Sequence, residues 1–354
     1  MEKWLSDYRQ EVLDGLLQFL WRQWAQLGVA GQIGGSDAWV IDPEALLVFS
    51  CTMARHDQRL FDEILDWSTK NERFFNIQRL RTILHQEQFA GESVVGAMAS
   101  CLARRNPPLK WRRLAESGRP RDATTSPRPL FFLKNGAPLP VLGERDAIFL
   151  DYGWLRNPVE YRGLSLAFPP KSPAALLLQL RSLIGVGARC ETLLYLFLNE
   201  KATIQEVAEN TYYSWRSIQE VLYELGHSGL LQFPGAKRGR TYRLDGRPWL
   251  DILLNDTSTR LRWICWPPLL RALEIIWAKL NDPVLEELSP LGQASEFRSV
   301  MVESVNDRIE KSGFGGYVRN PAVYQGEIYR EVFLADVRTL LAALLGTSTR
   351  RDSN

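Results

Sequence analysis

A few stretches of this chain carry residue types that could do chemistry. In GGSDAWVID, Gly34 to Asp42, a Gly–Ser pair stands ahead of carboxylates, a pattern that could bring magnesium to a phosphate. That chemistry needs two acids in an Asp-x-Asp arrangement on one strand so that both face the metals, and only Asp42 is in range, followed at once by Pro43. Asp151 with Glu160 and Arg162 has the residue types of a nuclease, but an arginine cannot give up a proton. GFGGYV at 313–318 has the glycines of a dinucleotide loop without a preceding strand. Cys51, Cys101, Cys190 and Cys265 lie far apart, and His56, His85 and His227 pair neither with each other nor with a cysteine, so neither a disulfide frame nor a zinc site is expected. The reading is of a chain with no catalytic residues, no metal and no cofactor.

A different chemistry, recognition, is written in TIQEVAENTYYSWRSIQEVLYEL, Thr203 to Leu225. Ahead of it Cys190, Leu193, Leu194, Phe197 and Leu198 repeat as one buried stripe of a supporting helix. Thr203 and Glu206 form a capping box, each side chain taking a free backbone N–H, so a short second helix begins there with Ile204, Val207 and Ala208 inward. NTYY supplies a turn, Ser214 caps a third helix, and Ile218, Val221, Leu222 and Leu225 are its buried stripe. At 100° per residue the opposite face carries Arg216, Glu220 and Tyr223, flanked by Trp215 and Gln219. Arg can bond guanine and Gln adenine through two hydrogen bonds each in a major groove. In HSGLLQFPGAKRGRTYRL, Leu231 and Phe233 alternate against Tyr242 and Leu244 as two strands would, around a loop with Lys237, Arg238 and Arg240.

Supporting helix, capped short helix, turn, amphipathic helix and basic hairpin resemble, over about residues 188–244, the winged helix-turn-helix of bacterial transcription regulators. The resemblance implies that Ser214, Trp215, Arg216, Gln219 and Tyr223 face double-stranded DNA and that Lys237, Arg238 and Arg240 hold phosphates. It implies a sequence-specific regulator, a repressor, without enzymatic activity. The alternative is a protein-interaction adaptor, or an antitoxin-like component of a toxin or phage-defence operon, using the same fold.

The elements around this stretch set the rest. At 354 residues the chain exceeds one ordinary domain of about 100 to 200 residues, so two or three cores are expected. A net charge of +2 does not mark a nucleic-acid binder, but charge is concentrated locally. Arg104, Arg105, Lys110, Arg112, Arg113, Arg119, Arg121 and Arg128 face only Glu116 and Asp122, in a stretch broken by Pro107, Pro108, Pro120 and Pro127 and followed by Pro129. It reads as an arm or linker, with Arg112 and Arg113 gripping DNA without regard to sequence, or merely as a solvated connection. The fold class expected is mainly α with small β hairpins, a winged helix-turn-helix domain flanked by helical regions. Residues 1–128 form a helical domain, with 43–86 echoing the winged-helix plan; 129–171 is a short β-rich segment; 172–247 is the winged domain, its first helix capped by Ser172; and 248–354 is a helical dimerisation or effector domain. Within the last, Leu269, Leu270, Leu273, Ile276, Trp277 and Leu280 form one stripe, and VFLADVRTLLAALL is apolar over much of its circumference, which points to a homodimer. The charged start and the want of an apolar run of roughly 18 residues give the expectation of a cytoplasmic protein without membrane contact.

Overall fold

A computed structural model describes residues 3–31, 39–105, 109–119, 126–133, 135–232, 240–255 and 261–347. The chain is mainly helical. Its helices are α1 (Lys3–Gln26), α2 (Pro43–Met53), α3 (Gln58–Asn71), α4 (Ile77–Glu87), α5 (Glu92–Arg105), α6 (Leu109–Ser117), α7 (Ala147–Leu150), α8 (Leu176–Ile184), α9 (Ala188–Leu198), α10 (Ile204–Thr211), α11 (Trp215–His227), α12 (Arg247–Leu254), α13 (Trp266–Leu280), α14 (Pro290–Val300), α15 (Asn306–Ser312) and α16 (Ile328–Leu344). Among the described residues the one sheet pairs β1 (Arg128–Pro129) with β2 (Trp154–Leu155) in parallel, Arg128 opposite Trp154. No helix among them is long and apolar enough to cross a membrane.

Apolar burial divides the molecule in two. The larger core joins α1–α6, the 130–155 region and α13–α16, while the smaller joins Val40, α8–α11, Leu231, Tyr242, Leu244 and Leu254. The two ends of the chain therefore share one core, with the smaller unit inserted between them. Indoles anchor the larger core, and several of the buried rings find a partner for the N–H. Trp24 donates to Ser50 Oγ at 2.9 Å, Trp67 to the Leu27 carbonyl at 2.7 Å and Trp266 to the Val40 carbonyl at 2.7 Å.

Several sequence expectations change. The stripe on α13 and the apolar circumference of α16 are covered within one chain, by α1, α2, α14 and α15, so they do not call for a second copy. Leu341 and Leu344 are buried there, and residues 248–354 are not a separate domain. Within the basic stretch, Lys110, Arg112 and Arg113 ride on α6 rather than on an open arm, and α6 buries Trp111, Leu114 and Ala115 against α4 and α5, while Arg121 lies outside the described residues. Gly96 and Gly118 let the backbones meet, since a Cβ on Gly96 would sit 2.8 Å from the Gly118 Cα. The 129–171 segment is not β-rich. AIFL is a helical turn because the Asp146 carboxylate caps Ile148 and Phe149, and GLSLAF runs as irregular chain held by Leu166 N–H on the Gly28 carbonyl at 2.8 Å. Ser172 does not cap α8: a turn intervenes, with Ala175 N–H on the Ser172 carbonyl, and the helix starts at Leu176. After α4 comes helix α5 rather than a hairpin, so 43–86 lacks the strands of the winged plan.

Candidate nucleic-acid interface

The local signals in Thr203–Leu225 operate as chemistry requires. Thr203 Oγ accepts from Glu206 N–H at 3.2 Å while the Glu206 carboxylate accepts from Thr203 N–H at 2.7 Å, starting α10. The turn closes on Tyr212 at φ +62°, a left-handed conformation that costs a non-glycine residue on the order of 1 kcal/mol or more. Its surroundings hold it: Tyr212 is buried and its hydroxyl donates to Glu87 on α4. Beside it Asn76 donates to the Tyr213 hydroxyl at 2.7 Å, and Arg79 Nε donates to the Thr211 carbonyl at 2.8 Å. The bend between α10 and α11 is thus pinned to α4 three times over.

Helix α11 opens with Ser214 Oγ accepting from Ser217 N–H at 3.1 Å, and it buries Ile218, Leu222 and Leu225; Val221 is only half-buried. Beyond it, isolated antiparallel bridges join Gln232 to Arg243 and Ala202 to Tyr242, so the backbone before α10 and the two segments after α11 meet at these residues. Trp215 is 52% exposed, Arg216 86% and Tyr223 69%, with Gln219 and Ser214 also exposed. These five candidates are brought to one end or face of a single helix. Ser214, however, spends its hydroxyl oxygen on the helix cap. Arg240 is exposed at the resumption of the second strand, whereas Lys237 and Arg238 lie outside the described residues. Arg112 and Arg113 are exposed on α6.

The charges of this face largely cancel. Arg216 stands 3.3 Å from Glu220 one turn on, and Arg189 from α9 pairs with Glu224. Tyr223 stacks edge-on against His227 at 4.4 Å between ring centres.

Behind the helix lies a group of buried charges that sequence reasoning missed. Arg79 reaches Asp42 and Glu44, Arg181 reaches Glu44 and Glu191, and all five side chains are buried. Arg181 also donates to the Phe74 carbonyl at 2.7 Å, and Asn76 N–H donates to Glu44 at 2.7 Å. Burial by itself would raise the Asp42 carboxyl, but the Arg79 guanidinium and the Ala45 N–H hold it below the usual range. Burial likewise opposes the charge on Arg181, yet Glu44 and Glu191 keep its guanidinium well above its ordinary value. The seam ties α2 and α4 of the large core to α8 and α9 of the small unit. Asp42 thereby has both oxygens engaged, Oδ1 by Glu44 N–H, Ala45 N–H and Arg79 and Oδ2 by Arg79. The one available signal was a lone charge inside an otherwise apolar helix: Glu44 in PEALLVF, Arg181 in LLLQLRSLI and Glu191 in CETLLYLFL.

The four cysteines are free and buried, and burial pushes the thiols of Cys101, Cys190 and Cys265 up to about 12. Compared with family models, with curated proteins and with solved structures, the chain matches none.

Proposed function

We propose that residues 172–247 form a winged helix-turn-helix that reads double-stranded DNA, and that the chain is a transcription regulator, a repressor of bacterial type that acts without catalysis. One observation carries this reading. The inner half of α11 is locked by Ile218, Leu222 and Leu225, while its outer half offers Trp215, Arg216, Gln219 and Tyr223 to solvent beside bridged backbone at Ala202, Gln232, Tyr242 and Arg243, in a sequence that carries Lys237, Arg238 and Arg240. A helix so held can lie in a major groove while the loop meets the phosphates. Pairing of two copies belongs to the proposal only because one such unit spans few base pairs, and light scattering of the DNA complex tests it. The central experiment is selection from random duplexes with the full chain, followed by a salt titration of the winners. Log affinity should fall linearly with log salt, and absence of salt-sensitive binding to any duplex would overturn the reading.

A second reading is favoured by the Arg216–Glu220 and Arg189–Glu224 pairs, which leave the outer face nearly neutral beside exposed Leu183, Ile184 and Val186. Such a face suits a protein partner, as in an adaptor or antitoxin-like component. Glu220→Gln separates the two: on DNA it removes a repulsion from phosphate and tightens all duplexes, whereas a protein-binding face leaves duplex affinity at zero in both forms.

A further inference from the structure

On the far side of the large core, α3 and the 156–166 strap enclose a cleft of about 470 Å³, lined by Asp62, Glu63, Asp66 and Glu160 together with Gln58, Arg59 and Arg162. The strap is firmly seated. Arg156 makes a two-bond pair with Asp62 at 2.7 and 3.0 Å, Lys70 donates to the Gly163 carbonyl at 2.8 Å, and Ser165 N–H donates to Asp66 at 3.3 Å.

Those bonds use up Asp62 and part of Asp66 but leave the centre of the cleft short of positive charge. Glu63 is only 2% exposed, and its Oε2 has no hydrogen-bond partner. Its Oε1 is reached by a single donor, Arg162 at 3.3 Å, a side chain that is itself 53% exposed. A buried carboxylate left half-satisfied is costly, and a long contact to a solvated guanidinium offsets little of that cost. Arg59, the other cation on the lining, sits over the Trp21 ring at 5.4 Å. Glu160 stands at the rim without an ion-pair partner among the described residues. Burial holds the Asp62 carboxyl above its usual range despite Arg156, and the charge of Glu160 adds to it.

The volume is that of a small-molecule site. Its lining sets the carboxylates of Asp62, Glu63, Asp66 and Glu160 against the two guanidiniums of Arg59 and Arg162, a surplus of negative charge that a bound cation would offset. We propose that this cleft binds a small organic cation, an alkylammonium or guanidinium compound, whose charged head replaces the exposed Arg162 on the buried carboxylate of Glu63. Arg162 is then an internal competitor: the chain carries a guanidinium of its own at the place the ligand takes. This site is independent of the DNA reading and stands or falls without it.

The test is isothermal titration of the full chain with agmatine, putrescine, spermidine and arginine methyl ester at about 0.15 M salt, where diffuse attraction is screened. At least one probe should bind saturably, one per chain. Glu63→Gln should weaken it about tenfold or more, the worth of one charge-assisted hydrogen bond. Arg162→Ala should tighten it about threefold or more, because the competitor is gone. A merely structural Arg162–Glu63 pair predicts the reverse: a lower melting temperature in Arg162→Ala and no gain in affinity. Should Glu63→Gln fail to fold, Arg162→Ala and the rim variant Glu160→Gln, both at exposed positions, carry the decision. No saturable heat with any probe, in the natural chain and in Arg162→Ala, overturns the proposal, as does affinity indifferent to all three changes.

Discussion

The same kind of ion pair, arginine with glutamate, occurs around α9 and α11 in two settings with opposite meaning. In the seam, Arg181 lies fully buried between Glu44 and Glu191, each oxygen it meets being out of water. On the outer face, Arg216 and Glu220 touch at 3.3 Å with both side chains mostly in solvent. The first pair has paid desolvation already, so its members are costly to separate; the second loses little on separation and leaves a guanidinium free for another anion. Burial, not residue type, decides which arginine holds the molecule together and which can act on something outside it.

The strongest way to break this contrast is Arg181→Met. It strands Glu191 in the interior and leaves Glu44 with Arg79 as its one cation, and should cost about 3 to 5 kcal/mol in urea unfolding, with the small unit loosened first by hydrogen exchange. Replacing Glu44, Arg181 and Glu191 together by apolar residues of similar volume should recover most of that loss; a triple variant no better than Arg181→Met would show that the seam does more than satisfy itself.

Acid comes next, because interior and surface should respond to it differently. Burial, with Arg55 adding to it, pushes His56 from 6.5 down to about 4, where it stacks on Phe132 and meets Trp277 edge-on. The folded chain keeps this imidazole neutral while the unfolded chain protonates it, so stability should fall as pH drops from 6.5 to about 4 and this contribution should level off below. His56→Phe should flatten that window in a series of melting curves. The Asp42 carboxyl is held low, so its own contribution should be lost only as pH falls below the ordinary 3.8.

The smaller effects sharpen the surface side. Arg216→Ala should cost about 1 to 3 kcal/mol on a selected duplex and relax preference at one base position, whereas Lys237→Ala with Arg238→Ala should weaken all duplexes alike and flatten the salt slope. Neutralising Arg112 and Arg113 should reduce affinity for unrelated duplexes only if α6 lies along the same DNA path. Smallest of all, Arg216→Ala should change folding stability by no more than about 0.5 kcal/mol. A loss of several kcal/mol there would mean that this exposed pair behaves like the seam.

Whatever depended on neighbours in sequence was legible. The cap of α10, Ser214 before α11, Asp42 with Pro43 at the start of α2 and the stripe of α11 all rest on contacts within four residues. What was missed rests on distant partners. Nothing local says that Arg79 meets Asp42, 37 positions earlier, or that the two tyrosines after Thr211 are fastened to α4. The apolar girth of α16 was visible, but not that α1, more than 300 positions away, covers it: Tyr8 bonds the Leu334 carbonyl 326 positions on. The strands expected after Pro129 failed for a related reason, since Asp146 offered a cap that a run of apolar residues concealed.

The meeting of α1 with α16 also sets an order of events during synthesis. Val12, Leu16 and Phe19 leave the ribosome more than 300 residues before Val337, Leu340 and Leu344, which share their core. At about 5 to 20 residues per second the first helix waits many seconds with its apolar side unburied. The inserted unit, whose partners are close in sequence, can close long before. A nascent chain of this protein is therefore expected to carry a finished small module on an unfinished body, and to need a chaperone at its first helix rather than at its last.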